Sequence, residues 1–279
     1  MKPRIVLGIT TYRDLRSTEI AEQIYDAFSA ASPKLAPNRI SVWLQHQPVA
    51  NRSDFAKHWH TQMAYEIRAS RSKTAPIRDE GNSQVGANWR TTGALNGRGE
   101  VSFQPDRDKT RPDTLRIDHA FSPRVDWYEL LHQLVQITEP AYAMLHVFNV
   151  EGTSCGHSIA PDEFSGALTG EDRFVSWKTP AGTWRKPDKW ERAERRRYRY
   201  LPNLPWANYL GPEFRDSFNL DQLREAVSDS CEMGDGMLFR TTSQLGDVLQ
   251  AEFEFSERQA QLKRAFAEGT FIGSDHGTP

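Results

Sequence analysis

At 279 residues, 38% hydrophobic and 26% charged, the chain can bury a core and is not disordered by composition. Its 35 basic and 37 acidic side chains leave a formal net charge of -2, so the molecule as a whole carries no signature of nucleic-acid binding. Two cysteines, Cys155 and Cys231, are too few and too far apart for a disulfide framework and read as reduced thiols.

The apolar stretch 5–9 is too short for a signal peptide and soon meets Arg13 and Asp14, and no run is long enough to span a bilayer; both point to the cytoplasm. That stretch reads as a buried strand. Ser17 can cap a helix with apolar residues at Ile20, Ile24, Phe28 and Ala31, ended by Pro33 and Pro37. Residues 40–44 form the next strand, closed by Pro48. Trp59, Thr61, Met63, Tyr65 and Ile67 alternate at period two and predict a strand over 59–67. Residues 70–98, rich in Arg, Ser, Asn and Gly, read as a long loop interrupted by Trp89. Residues 100–104 and 114–121 predict paired strands joined by a charged turn, with Leu115, Ile117, His119 and Phe121 on one face.

Asp126, with Glu129 three places on, has capping-box spacing and opens a helix whose buried stripe is Trp127, Leu130, Leu131, Leu134 and Val135. Pro140 stops it, and 142–150 is an apolar strand. The element order leaves open two related halves, without repeated sequence. Residues 151–203 lose the apolar period and read as an irregular insertion. Beyond it, Pro205 suits the first turn of a short helix carrying Trp206, Tyr209 and Leu210. Asn219 caps a helix with Leu220, Leu223 and Val227. The turn Gly234-Asp-Gly236 leads into a strand over 237–241, paired with another over 247–253. Ser256 and Gln259 cap a last helix, buried along Leu262 and Phe266, and 269–279 is a frayed tail. The expected architecture is α+β, one domain over 1–279, with a mixed, mainly antiparallel sheet and helices packed on it.

Several residues carry candidate chemistry. Gly156-His-Ser158-Ile-Ala160 resembles a serine-hydrolase elbow, but the strand ends early, Pro161 follows, and the only later histidine is His276. His146, Glu151, Cys155 and His157 lie close in sequence without a recognised zinc spacing, and His58-Trp-His60 offers two imidazoles on one strand face. Asn96-Gly-Arg-Gly99 is a turn without the flanking elements of a phosphate loop. Arg195-Arg-Arg-Tyr-Arg-Tyr200 interleaves bases and aromatics, as single-strand binders do, diluted by Glu191 and Glu194. No catalytic set, cofactor site or metal site is expected, and no direct nucleic-acid or membrane partner. A hydrolase or metal enzyme built on His146, Cys155, His157 and Ser158, and a nucleic-acid binder built on the Arg195 region, are the alternatives.

The C-terminal third is more specific. Leu204-Pro-Trp-Ala-Asn-Tyr-Leu-Gly-Pro212 is followed by Leu220-Asp-Gln-Leu-Arg224, Gly234-Asp-Gly-Met-Leu238 and Leu245-Gly-Asp-Val248. In this order the elements resemble the immunity protein 52 family and its relatives among type VI secretion immunity proteins, over residues 204–267. Residues 151–203 have no counterpart in it. The resemblance implies a non-enzymatic immunity protein with a cognate secreted toxin, frequently a nuclease. Two features could meet such a toxin: the acidic set Asp216, Asp221, Glu225, Asp229, Glu232 and Asp235, and the tryptophans Trp177, Trp184 and Trp190.

Overall fold

The strand β1 (Arg4–Thr11) is buried at every position after the first, as a strand covered on both faces must be. It lies in the middle of an eleven-stranded sheet seen in a computed structural model, which describes residues 3–42, 45–68, 77–103, 112–148, 178–179, 182–183, 201, 204–250, 252–268 and 270–271. The strands are β2 (Arg39–Val42), β3 (Gln45–Pro48), β4 (His60–Arg68), β5 (Ile77–Thr91), β6 (Gly97–Ser102), β7 (Asp113–Ala120), β8 (Tyr142–Phe148), β11 (Ala207–Leu210), β12 (Asp229–Met233) and β13 (Gly236–Arg240). A separate pair, β9 (Lys178–Thr179) and β10 (Gly182–Thr183), falls within 151–203. The order across the main sheet is β12-β13-β11-β8-β1-β7-β6-β5-β2-β3, with β4 paired to β5. All of its strand pairings are antiparallel; a lone parallel bridge joins Leu201 to Phe271. The α+β architecture expected from the sequence is the one observed.

Alternation divides the core in two. Ile5, Leu7 and Ile9 join one cluster with side chains of α1 (Thr18–Ala31), α2 (Arg52–Lys57) and α3 (Trp127–Thr138). Val6, on the other face, joins a second cluster with Met144, Leu210, Phe214, Leu223, Leu262 and Phe266. This second cluster packs a 3-10 turn (Pro212–Ser217), α4 (Leu220–Ala226) and α6 (Glu252–Lys263), which α5 (Asp247–Gln250) precedes. It covers only the β8–β11–β13 half of its face. On β6, inward and outward residues alternate as buried and exposed, because one side there meets solvent.

The caps fall where the side chains predict. Ser17 accepts from the Glu19 N–H, Asp126 from Glu129 and Asn219 from Gln222, each satisfying a donor that the first helical turn leaves open.

Elsewhere the structure corrects the sequence reading. The loop expected over 70–98 contains β5, the longest strand; its first ten residues pair with β4 and only its end enters the main sheet, so it has little apolar period to read. Pro48 does not follow a strand but ends β3, an edge strand, where a missing N–H costs no ladder bond. The expected strand over 59–67 begins at His60, because Asn51 caps α2 just before it and Trp59 turns inward, its indole N–H donating to the Leu15 carbonyl at 2.7 Å. The turn expected over Asn96–Gly99 is not one: Gly97, Arg98 and Gly99 already belong to β6, which starts three residues earlier than expected, and the chain turns at 93–95 instead.

The expected helix at Pro205 is instead β11, held between β8 and β13 with all of its residues buried. A short apolar run has no period that separates strand from helix, and the neighbouring strands decide it. The partner of β13 is β12, not the expected strand over 247–253, where Asp247–Gln250 and the start of α6 are helical. α6 runs through Ser256 rather than starting there, and the Gln259 amide donates inward to the Leu204 carbonyl at 2.6 Å. At the start of the expected tail, Leu201 N–H bonds Thr270 O at 2.8 Å and Phe271 stacks edge-on against Phe266; 272–279 lie outside the described residues.

Candidate functional site: an anionic groove at the sheet edge

The β12–β13 hairpin forms one edge of the sheet, and the last turns of α3 lie beside it. Between them is a groove of about 640 Å³, lined by His132 and Gln136 from α3 and by Glu139, which caps its end, by Tyr209 and Pro212, and by Glu232, Met233, Gly234 and Asp235 from the hairpin. No lysine or arginine is among its walls.

Two glycines make the arrangement fit. A side chain at Gly211 would lie 2.7 Å from the Pro140 carbonyl, where the chain passes under the end of α3. One at Gly236 would lie 2.2 Å from the Tyr209 hydroxyl. With Gly236 out of the way, that hydroxyl donates to the Met233 carbonyl at 3.2 Å and pins the hairpin to β11. Gly234 has φ of +58°, the left-handed geometry a tight turn needs.

The electrostatics are one-sided. Burial raises the Tyr209 pKa above its ordinary value, and the carboxylates of Glu213, Asp235 and Glu139 raise it further. The C-terminal end of α3 adds the negative pole of its dipole. At the margins, Arg13 pairs with Glu139 and Arg224 with Glu232.

Of the acidic set, Glu232 and Asp235 line this groove. Asp229 sits on the same edge strand and pairs with Arg240 at 3.3 Å. Asp216 on the 3-10 turn, and Asp221 and Glu225 on α4, are exposed but are not among its walls. Trp177, Trp184 and Trp190 lie outside the described residues. The sequence reading missed Glu139 and Tyr209. Their signals were a carboxylate just past a capped helix and a tyrosine two residues before a Gly-Pro break.

The other candidates fare differently. His146 is fully buried on β8, accepts the Trp206 backbone N–H on Nδ1 at 3.0 Å, and is held by burial down to a pKa of about 3. It is a neutral core histidine. His58 caps the end of α2 while His60 opens β4, so the two imidazoles do not share a strand face. Among the described residues no cluster of three or more His, Cys, Asp or Glu side chains could hold a metal, and no helix is long and apolar enough to cross a membrane. Glu151, Cys155, His157, Ser158 and the Arg195 stretch lie outside the described residues.

No family model matches the chain, and no curated protein matches it. Among solved structures it is similar to the Pseudomonas aeruginosa T6SS protein PA0821, with 13% identity and a TM-score of 0.48, over all of this chain and 76% of that one.

Proposed function

We propose that the protein is an immunity protein that binds a secreted toxin in the cytoplasm and neutralises it by contact, without catalysis of its own. The observation that carries this reading is a convergence. Tyr209, Pro212, Gly234 and Asp235, from the motifs that resemble the immunity protein 52 family, stand around one exposed anionic groove. Gly211 and Gly236, from the same motifs, clear the space for it.

The toxin is a nuclease delivered by a type VI secretion system. A nuclease must grip a polyanion, so its cleft is basic, and a groove walled by Glu139, Glu232 and Asp235 is complementary to it. Carboxylates at an interface rim mainly speed encounter, whereas buried aromatic anchors set the dissociation rate. Trp177, Trp184 and Trp190 are the anchors in this reading, with Asp216, Asp221, Glu225 and Asp229 extending the anionic surface.

The test is co-expression of the tagged chain with the product of the adjacent open reading frame, followed by co-purification and a nuclease assay. A stoichiometric complex with suppressed nuclease activity is the expected result. Esterase, phosphatase or nuclease activity of the purified chain itself, lost in Ser158→Ala or His157→Ala, would overturn the reading.

A further inference from the structure

The half of the sheet that α4 and α6 leave uncovered carries a second, oppositely charged surface. Cross-strand register places Arg39 opposite Arg90 and Arg90 opposite Arg98, so three arginines stand in one row on β2, β5 and β6. All three are exposed. The row continues to Asp118, which Arg4 holds at 2.7 Å and Arg98 approaches at 3.7 Å. In the next row Glu100 stands opposite Arg116. Neither Arg39 nor Arg90 makes an ion pair with a described residue. Beside the row is a groove of about 320 Å³ walled by Arg90, Arg98 and Arg116, by Ser41, His46 and Asn88, and by the carboxylates of Glu100 and Asp118; Arg39 stands outside its walls.

Like charges directly opposite one another across strands repel, and a protein that gains nothing from such a row has no reason to hold three in register. An anion bridging them removes the repulsion. Arg39 to Arg98 spans two inter-strand steps, about 10 Å. That is the reach of a short polyphosphate, not of a single carboxylate. Guanidinium groups bind phosphate oxygens in a bidentate manner, and Asn88 supplies a neutral donor beside them, while the Ser41 hydroxyl is bonded to His46 Nδ1 at 2.5 Å. The volume of the groove is at the small end of ligand sites.

We propose that this groove is a binding site for a small polyphosphorylated ligand, gripped by Arg90 and Arg98 from its walls, with Arg39 at the outer end of the same row. The site is independent of the acidic groove and of the toxin-binding reading.

Inorganic triphosphate is the probe, titrated into the full chain at fixed ionic strength by calorimetry and by thermal unfolding. Saturable binding that raises the unfolding midpoint is expected. Arg90→Glu and Arg98→Glu should each weaken it at least tenfold, with Arg39→Gln as a milder third variant. Arg258→Glu, an exposed arginine on α6, changes the net charge equally and should leave binding intact. Absence of saturable binding overturns the proposal, as does equal weakening by Arg258→Glu. Tighter binding of an oligo-glutamate peptide than of triphosphate would assign the face to an acidic protein partner instead, and a DNA oligomer that triphosphate cannot displace would assign it to nucleic acid.

Discussion

The backbone N–H of Trp206 donates to Nδ1 of His146 at 3.0 Å, tying the entry of β11 to β8 through a side chain with no exposed surface. The bond requires an unprotonated Nδ1, so the folded state holds the imidazole neutral. The consequence for stability has a definite sign. The folded pKa is about 3, below the ordinary 6.5, so the unfolded chain binds a proton that the folded chain refuses between those values. Stability from this group is complete above pH 6.5 and falls as pH drops toward 3, by about 4–5 kcal/mol at the lower end. His119, buried and also lowered by desolvation, adds to the same trend. His146→Asn keeps an acceptor near the Nδ1 position and removes the titration. Its denaturation midpoint should vary less between pH 6.5 and 4 than that of the parent. An unchanged slope would place the pH dependence elsewhere.

Leu210 is 1% exposed and shares a cluster with Leu262 and Phe266 of the C-terminal helical layer. Leu210→Ala should cost about 2–5 kcal/mol, read from urea denaturation. Trp206 belongs to the other cluster, with Tyr128 edge-on at 5.8 Å, so it does not share Leu210's packing. The two losses should therefore be close to additive in Trp206→Phe/Leu210→Ala, and strong coupling in that double variant would contradict the separation.

Gly236→Ala puts a methyl group 2.2 Å from the Tyr209 hydroxyl, so either the ring or the hairpin must move. A loss of about 1–3 kcal/mol is expected. Tyr209→Phe should relieve none of it, because the ring carbon Cζ is itself only 2.4 Å away. Tyr209→Leu in the same chain should recover part. No recovery would show that the backbone, not the ring, takes the strain.

Reversing Glu232 and Asp235 to lysine should slow association with the toxin and flatten its salt dependence, since both line the anionic groove. Asp221→Lys with Glu225→Lys should do so less, because those residues stand outside the groove walls. Stopped-flow association rates at two ionic strengths decide the order. Trp184→Ala and Trp190→Ala should act on dissociation, by roughly tenfold for a 1.4 kcal/mol loss.

How much of this was legible depends on what each element needs from its own residues. α1 and α3 are amphipathic helices with side-chain caps, so period and cap spacing in the sequence suffice to locate them. β11 has four buried residues and takes its conformation from β8 and β13, which no local window contains. β5 pairs through its backbone along a ribbon, so composition alone made it look like a loop. The site divides in the same way. Glu232 and Asp235 were visible as part of an acidic run, but Glu139 joins them only because α3 ends beside the hairpin. The arginine row was invisible because Arg39, Arg90 and Arg98 come from three separate strands, and only register aligns them.

The central position of β1 also bears on how the chain is made. Its ladder partners are residues 113–120 and 142–148, so when β1 leaves the ribosome neither neighbour exists. At translation rates of about 5–20 residues per second, the wait for β7 is roughly 5–20 s, and β8 comes later still. During that interval a strand with apolar side chains on both faces has no sheet to enter. Folding of the sheet is therefore gated by synthesis of its middle, and a nascent chain paused before residue 113 should bind a chaperone through the segment Arg4–Thr11.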